Sequence, residues 1–138
     1  MAEETKLKAR DLGASFGKSF YVEEEFMSRP LAYVTAAWSD DAIEAKDVAI
    51  KYCRDLYKEG YSPICPLLFQ SDFLDDGDAQ EHKDKLDMAE ELLRRSRVVV
   101  ACGSRMDEKV KSDIALAKRL GIVSTTMDGI TKVGKKIK

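Results

Sequence analysis

Carboxylate side chains follow a short glycine-containing turn in the second half of the chain. Asp107 and Asp113 come after the apolar, β-branched run at residues 98–101, which has the pattern of a strand buried on both faces. A carboxylate near the start of a helix that follows such a strand can act as a nucleophile or general base in a site formed by strand ends. The alternative is that Asp107 caps the helix and that Asp113 faces solvent between Lys109 and Lys118.

The elements that must position these carboxylates form a βαβ unit. Residues 98–101 are followed by a glycine-containing break, a helical pattern from Lys109, and a second β-branched run at residues 122–126. The crossover of such a unit is almost always right-handed, so its strands are parallel. Ligands of open parallel sheets bind outside the carboxyl ends of the strands. The residues that follow the central strand at that end are Gly103, Ser104, Arg105 and Asp107.

The rest of the chain continues the alternation of strands and helices. The predicted upstream elements are a strand at residues 31–37, a helix capped by Ser39 or Asp40, a strand at residues 61–65, and a helix from Asp78 or Gln80 to Arg95. Pro63 places the second strand at an edge or where the chain leaves the sheet, and Asp128 with Gly129 predicts a turn after the last strand. This order predicts an α/β fold class, a three-layer sandwich around a mostly parallel, flavodoxin- or Rossmann-like sheet of about four to five strands.

The composition restricts the class of protein. A length of 138 residues fits one domain with a single core, and 44% hydrophobic with 35% charged residues is typical of a soluble globular protein. The net charge of -2 gives no electrostatic footprint for a nucleic acid polymer. The sequence has no apolar run long enough to cross a bilayer or to form a signal peptide. We therefore expect a cytoplasmic protein that does not bind membranes.

The motifs of common cofactor and metal sites are absent from the sequence. Neither GxGxxG nor GxxxxGK[ST] occurs, which argues against dinucleotide and P-loop chemistry. The 3 cysteines are widely spaced and there is 1 histidine, which argues against a disulfide framework and a metal cluster. Cys102 is predicted to be a small buried residue rather than a nucleophile, because no histidine base lies near it in the sequence. We expect no cofactor and no metal.

Residues 1–29 form a predicted N-terminal arm that precedes the α/β domain at residues 30–138. The apolar side chains of this arm include Phe16, Phe20, Tyr21, Phe26 and Met27. A solvated tail normally carries fewer aromatic residues. We therefore expect the arm to pack on its own domain or on a neighbouring subunit, and we expect a homo-oligomer.

Other candidate ligand-binding residues lie in predicted loops. Trp38 follows the first strand and could stack on a base, or could lie in the core or in a subunit interface. Asp75 and Asp76 could hold ribose hydroxyls, or could form a turn with Gly77.

Motifs near both ends of the predicted domain resemble those of one superfamily. Residues 33–38 read Tyr-Val-Thr-Ala-Ala-Trp, and the late helix reads Asp113-Ile114-x-x-Ala117-x-x-x-Gly121-Ile122. The first resembles the motif Tyr-x-Ala-[Gly/Ser]-Pro-[Phe/Tyr] of the nucleoside 2-deoxyribosyltransferase-like superfamily. The second resembles the motif Glu-Ile-x-x-Ala-x-x-x-Gly-[Ile/Lys] of the same superfamily. The resemblance is to small bacterial and phage members and extends from residue 31 to about residue 125.

The resemblance implies chemistry at the N-glycosidic bond of a nucleoside or nucleotide. Asp113 would be the carboxylate that attacks the anomeric carbon, and Tyr33 would orient it. The implied ligand-binding residues are Thr35, Ala36, Trp38, Asp75, Asp76, Gly103, Ser104, Arg105 and Asp107. Asp113 stands where the superfamily has glutamate, and the small residues that precede the nucleophile there are replaced here. The alternative is therefore a non-catalytic ligand-binding or protein-interaction module on the same fold.

Overall fold

The computed structural model describes residues 29–131. The predicted N-terminal arm, except for Arg29, lies outside these described residues. The strands and helices are β1 (Leu31–Ala36), α1 (Ala42–Lys58), β2 (Ser62–Ile64), α2 (Ala79–Arg94), β3 (Val98–Cys102), α3 (Glu108–Leu120) and β4 (Val123–Thr126). Short 3-10 turns at Pro66–Leu68 and Gln70–Asp72 lie between β2 and α2.

The sheet has 4 parallel strands in the order β2-β1-β3-β4. β1 and β3 lie at its centre, and their register sets Thr35 opposite Ala101 and Ala36 opposite Cys102. Parallel strands need crossover connections, which α1, α2 and α3 supply. The predicted α/β fold class is confirmed, with a sheet of 4 strands.

The core is divided between the two faces of the sheet. Successive side chains of a strand point to opposite faces, so β3 contributes to both halves of the core. On one face Val100 packs with Leu56 of α1. On the other face Val99 packs with Leu93 of α2 and Leu116 of α3. Helices thus cover both faces of the sheet, as the sequence predicts for a three-layer sandwich.

The strand β2 lies at the edge of the sheet, which is one of the two placements that Pro63 allows. Proline has no N–H group to donate to a neighbouring strand, and an edge strand has one side without a neighbour. Pro63 is the register partner of Ala32 in β1. The observed strand is shorter than the predicted segment at residues 61–65, because only Ser62–Ile64 pairs with β1.

Aspartate side chains begin the helices α1, α2 and α3. Asp41, Asp78 and Asp107 each accept hydrogen bonds from backbone N–H groups in the first turn of their helix. Of the two predicted starts of α2, Asp78 is the capping residue, and Asp107 caps α3, as the alternative prediction held. The cap predicted at Ser39 or Asp40 is wrong, because Asp41 caps α1. The hydroxyl of Ser39 instead accepts a hydrogen bond of 3.0 Å from the N–H of Asp41 and supports that residue as the cap.

After β4 the chain enters a helix rather than the turn predicted at Asp128 and Gly129. Residues 127–131 are helical, and Thr131 Oγ1 donates to the carbonyl oxygen of Met127, one turn earlier, at 3.2 Å. An Asp-Gly pair favours a turn locally, but Ile130 is buried in the core beside α1. Tertiary packing of this kind overrides local propensity.

The core assignment predicts a difference between two residues of α2. Leu93 is fully buried, whereas Met88 is 40% exposed. We expect Leu93→Ala to lower the free energy of unfolding by about 2–5 kcal/mol, because it removes buried carbon atoms and leaves a cavity. Met88→Ala, the matched control, should cost less than about 1 kcal/mol. Urea denaturation followed by circular dichroism measures both losses, and equal losses would contradict the assignment.

Candidate functional site

A buried carboxylate lies at the carboxyl end of the central strands. Asp113 is on α3 and is only 6% exposed. Its Oδ2 atom accepts a hydrogen bond of 2.7 Å from Thr35 Oγ1, near the end of β1. Asp113 lies one turn after Val110 and one turn before Ala117, both buried, so helical periodicity directs it toward the sheet. The alternative prediction that Asp113 faces solvent is therefore wrong.

Lys109 compensates the charge of this carboxylate. Its Nζ atom lies 2.9 Å from Oδ1 and 3.0 Å from Oδ2 of Asp113. A spacing of one helical turn lets the two side chains meet, and a buried charge is tolerated when it is paired and hydrogen-bonded. The superfamily resemblance gave the orienting role to Tyr33. Among the described residues, Thr35 and Lys109 make the hydrogen bonds that fix Asp113.

Asp113 borders a cavity of about 150 Å³ on the side of the sheet that α2 and α3 cover. We call this opening the small cavity, and Tyr33, Thr35 and Trp38 also line it. At about 30 Å³ per water molecule, its volume equals that of about five waters, which is room for a group of the size of a pentose. Burial, with the Asp113 carboxylate and the Cys65 thiol, raises the pKa of Tyr33, so the phenol keeps its proton.

A larger opening of about 660 Å³, which we call the large cleft, lies on the α1 side of the sheet. Its volume falls within the range of about 300–1,000 Å³ that is typical of small-molecule sites. The rings of Trp38 and Tyr52, which both line it, have centroids 6.2 Å apart and planes tilted by 45°. These rings offer apolar surface to a planar group.

The loop between β3 and α3 forms one wall of the large cleft. Gly103 has a φ of +83°, and a Cβ atom there would lie 3.0 Å from the hydroxyl oxygen of Tyr52. Glycine therefore satisfies both a left-handed backbone and a close approach to α1. Arg105 Nη2 donates a hydrogen bond of 2.9 Å to the carbonyl oxygen of Ala37, which ties this loop to the end of β1.

The alternation of side chains along β1 divides the predicted site residues between the two openings. Tyr33 and Thr35 line the small cavity, whereas Ala36 lines the large cleft. Trp38, beyond the end of β1, lines both. The predicted residues after β3 that line the large cleft and not the small cavity are Gly103, Ser104, Arg105 and Asp107.

Asp75 and Asp76 line neither of these openings. Oδ1 of Asp75 accepts a hydrogen bond of 2.9 Å from the N–H of Gly77, which is the turn that the sequence allowed. Asp76 Oδ1 lies 2.8 Å from Lys85 Nζ and 2.6 Å from His82 Nδ1, and these partners hold the pKa of Asp76 below its usual value. Asp76 itself does not line the small cavity, but its ion-pair partner Lys85 does.

The openings contain further residues that the sequence did not single out. Lys109 could have been found from its spacing to Asp113, because side chains one helical turn apart on the same face interact. Tyr52 lies one turn after the buried Ala49 and so shares the inner face of α1. Gln70 is buried and donates a hydrogen bond of 3.0 Å to the carbonyl oxygen of Lys85. Its position depends on the path of a loop, which carries no periodic signal.

The 3 cysteines of the chain lie together in the core beside α1. Cys65 and Cys102 are buried and Cys53 is half-buried. A hydrogen bond from the Cys65 thiol lowers the pKa of Cys53, while burial raises the pKa of Cys102 to about 12. Cys102 therefore remains a neutral thiol at physiological pH, and its predicted burial is confirmed.

Metal and membrane features can be assessed for residues 29–131. In this part of the chain, no group of three or more His, Cys, Asp or Glu side chains is arranged to hold a metal ion. Across the same residues, no helix has both the length and the apolar character needed to cross a membrane.

The fold and the site define an α/β protein whose large cleft and small cavity lie at the carboxyl end of a parallel sheet. Residues 30–127 match the family described as Domain of unknown function (DUF7768), and the chain belongs to this family. The matched segment runs from the start of β1 to the end of β4 and includes every residue that lines the large cleft and the small cavity. No curated protein gives a significant match to the chain.

Substitution of Gly103 tests the wall of the large cleft. Gly103→Ala should lower the free energy of unfolding by about 1–2 kcal/mol because alanine is strained at a positive φ. It should lower it further because the new Cβ atom must displace the Tyr52 hydroxyl group. Gly60 provides a matched control, because its φ is +97° and a Cβ atom there would meet nothing within 4 Å. Gly103→Ala should therefore cost more than Gly60→Ala, and Tyr52→Phe should reduce the difference. Equal costs in chemical denaturation would disprove the close approach.

The environments of the cysteines predict an order of thiol modification. At about pH 8, iodoacetamide should alkylate Cys53 first, because its pKa is lowered and its side chain is half-exposed. Cys102 should react only on unfolding, because burial keeps its thiol protonated and covered. Peptide mass spectrometry at successive times measures the order, and alkylation of Cys102 before Cys53 in the folded protein would refute it.

Proposed function

We propose that this protein binds a nucleoside or nucleotide at the carboxyl end of β1 and β3 and acts on its N-glycosidic bond, with Asp113 as the nucleophile. The observation that carries the proposal is the buried Asp113 carboxylate, fixed by Thr35 and Lys109 at the edge of the small cavity. A carboxylate at the end of parallel strands is suited to covalent catalysis because it can form a glycosyl ester.

The hydrogen bonds of Asp113 leave one oxygen atom better available for attack. Oδ2 accepts from both Thr35 and Lys109, whereas among the described residues Oδ1 accepts from Lys109 alone. The fixed orientation supports a nucleophilic role, because small displacements of a reacting group, of about 1 Å, can cost about a hundredfold in rate. We assign Oδ1 as the attacking atom.

The proposed reaction has two balanced steps. In the first, Asp113 Oδ1 forms a bond to the anomeric carbon, the bond to the base nitrogen breaks, and the base leaves with the electron pair and takes a proton from solvent. In the second, a water molecule forms a bond to the same carbon and loses a proton to solvent, while the bond from that carbon to Asp113 Oδ1 breaks and its electron pair returns to the carboxylate. A second base in place of water would complete a transfer instead of a hydrolysis.

The two openings suit the two parts of such a substrate. The small cavity of about 150 Å³ can take the sugar beside Asp113, and its phenol Tyr33 keeps its proton and can donate to a sugar oxygen. The large cleft can take the base against Trp38. Trp38 lines both openings, so the scissile bond would lie next to its ring.

A second candidate function is binding of the same class of ligand without catalysis. The observation that favours it is that the large cleft, the opening with the volume of an ordinary ligand site, is not lined by Asp113. In this case Asp113 would serve to hold α3 against β1 through its bond to Thr35.

Base release separates the two candidates. We expect the purified protein to release free base, detected by chromatography, from at least one member of a panel of deoxynucleosides, nucleosides and nucleotides. Asp113→Asn, which keeps the size of the side chain, should lower the rate by about a thousandfold or more, because it removes the nucleophile. The matched control is Asp87→Asn on the exposed side of α2, which should leave the rate unchanged.

The other outcomes are equally decisive. Full base release by folded Asp113→Asn would refute the nucleophilic role. A thermal shift with a member of the panel, but no base release by the wild-type protein, would support binding without catalysis. Loss of the thermal shift on Trp38→Ala would then assign that binding to the two openings.

A further inference from the structure

Large apolar side chains of α1 point into solvent at every seventh position. Ile43, Ile50 and Tyr57 are 76%, 55% and 50% exposed, respectively. Residues seven positions apart lie on nearly the same side of an α-helix, because two turns take about 7.2 residues. The three side chains therefore form an exposed stripe about 21 Å long, which is rotated by roughly 110° around the helix axis from the buried Ala49 and Leu56.

Charged residues alternate with these apolar residues along the same side of α1. Asp47 lies between Ile43 and Ile50, and Arg54 lies between Ile50 and Tyr57; both charged residues are exposed. Each follows its apolar neighbour by four residues, so Asp47 and Arg54 lie along the same flank of the row of apolar side chains. We call these five residues the α1 stripe.

The α1 stripe is complementary to itself when its direction is reversed. Ile43 and Asp47 precede Ile50, and Arg54 and Tyr57 follow it. Each side of Ile50 therefore carries one apolar and one charged residue, and the two charges are opposite. In a two-fold, antiparallel arrangement Ile50 meets Ile50 of a second copy, and Asp47 faces Arg54 of that copy. Ile43 meets Tyr57 in the same way, so every group has a partner of suitable chemistry.

We infer that the α1 stripe is a homodimer interface in which α1 packs antiparallel against α1 of a second copy of this chain. Charge complementarity selects this arrangement. A two-fold axis perpendicular to both helices places the flank that carries Asp47 and Arg54 beside the same flank of the second copy. Asp47 of each copy then faces Arg54 of the other copy. A parallel arrangement would move Asp47 and Arg54 to opposite flanks and leave both unpaired across the interface.

Contacts at one end of the stripe hold Tyr57 in place. The guanidinium carbon of Arg29 lies 4.4 Å from the centroid of the Tyr57 ring, and Arg29 Nε donates a hydrogen bond of 3.0 Å to the carbonyl oxygen of Tyr61. Arg29 also donates to the carbonyl oxygen of Tyr57. An ordered aromatic residue at an interface loses little conformational freedom on binding, which favours association.

The size of the stripe limits the strength of the dimer. One face of a single helix covers less than the roughly 800 Å² per partner that is usual for stable interfaces. We therefore expect a dissociation constant in the micromolar range, so that monomer and dimer interconvert with concentration.

Sedimentation velocity of the full chain from about 1 μM to about 1 mM tests this interface. The wild-type protein should change from monomer to dimer across the series. Ile50→Asp should raise the dissociation constant by about 30-fold or more, because it places two like charges at the two-fold axis. The matched control is Asp87→Arg on α2, an exposed charge reversal on the other side of the sheet, and it should leave association unchanged.

A charge swap provides the sharper test. Asp47→Arg or Arg54→Asp alone should raise the dissociation constant about tenfold, because each sets like charges opposite each other. The double variant Asp47→Arg with Arg54→Asp restores both pairs and should return the constant to within about threefold of wild type. Additive losses in the double variant would overturn the antiparallel register.

The remaining outcomes contradict the proposal in distinct ways. A wild-type chain that is monomeric at every concentration would overturn it. A dimer that is unaffected by Ile50→Asp would show that another surface associates. In the proposed dimer, Ile50→Cys should form an intermolecular disulfide with glutathione disulfide as oxidant, whereas Ile43→Cys should not.

Discussion

The hydrogen bond of 2.7 Å from Thr35 Oγ1 to Asp113 Oδ2 is the contact on which the geometry of the site depends. It joins the first strand of the sheet to α3, which are far apart in sequence, and both of its partners are buried. A buried carboxylate without such a partner would be costly, so Thr35 and Lys109 together permit an ionised group at this position. This contact holds α3 against the end of β1, whereas the pairing of β1 with β3 brings together the strand ends at the edges of both openings.

The two-residue repeat of β-strands imposes the second constraint. Because Thr35 and Ala36 point to opposite faces, the end of β1 cannot offer all of its side chains to one opening. The protein therefore has a small cavity on one face and a large cleft on the other, and Trp38 lines both. A ligand that uses both openings must cross the top of the sheet beside that ring. This requirement suits a ligand with two chemically different halves, such as the nucleoside or nucleotide that the superfamily resemblance implies.

Local patterns predicted the fold because hydrophobic runs indicate burial, and because proline and glycine restrict the backbone where an element lies or ends. The β-branched run that contains Val99 and Val100 indicated a buried parallel strand, Pro63 indicated an edge, and Gly121 indicated the end of α3, where its φ is +73°. The predicted cap of α1 was wrong because Asp41, which donates its N–H to the Ser39 hydroxyl, caps the helix instead. The predicted turn at Asp128 was wrong because Ile130 packs in the core.

The residues of the candidate site could be predicted only in part from the sequence. Its residues could be named from their places after strands, but the contact of Asp113 with Thr35 depends on strand register and helix phase together. No local pattern near Asp75 or Asp76 indicates that these residues lie away from both openings.

Mass spectrometry of the acid-quenched protein, after brief incubation with the nucleosides and nucleotides, would establish whether Asp113 forms a covalent bond to substrate. Trypsin releases residues 112–118, in which Asp113 is the one side-chain carboxylate. The proposed reaction predicts a mass increase of one sugar moiety on this peptide, and its absence from Asp113→Asn. Base release by the wild-type protein with the sugar found on another residue, or on none under conditions that trap glycosyl esters, would contradict the role proposed for Asp113.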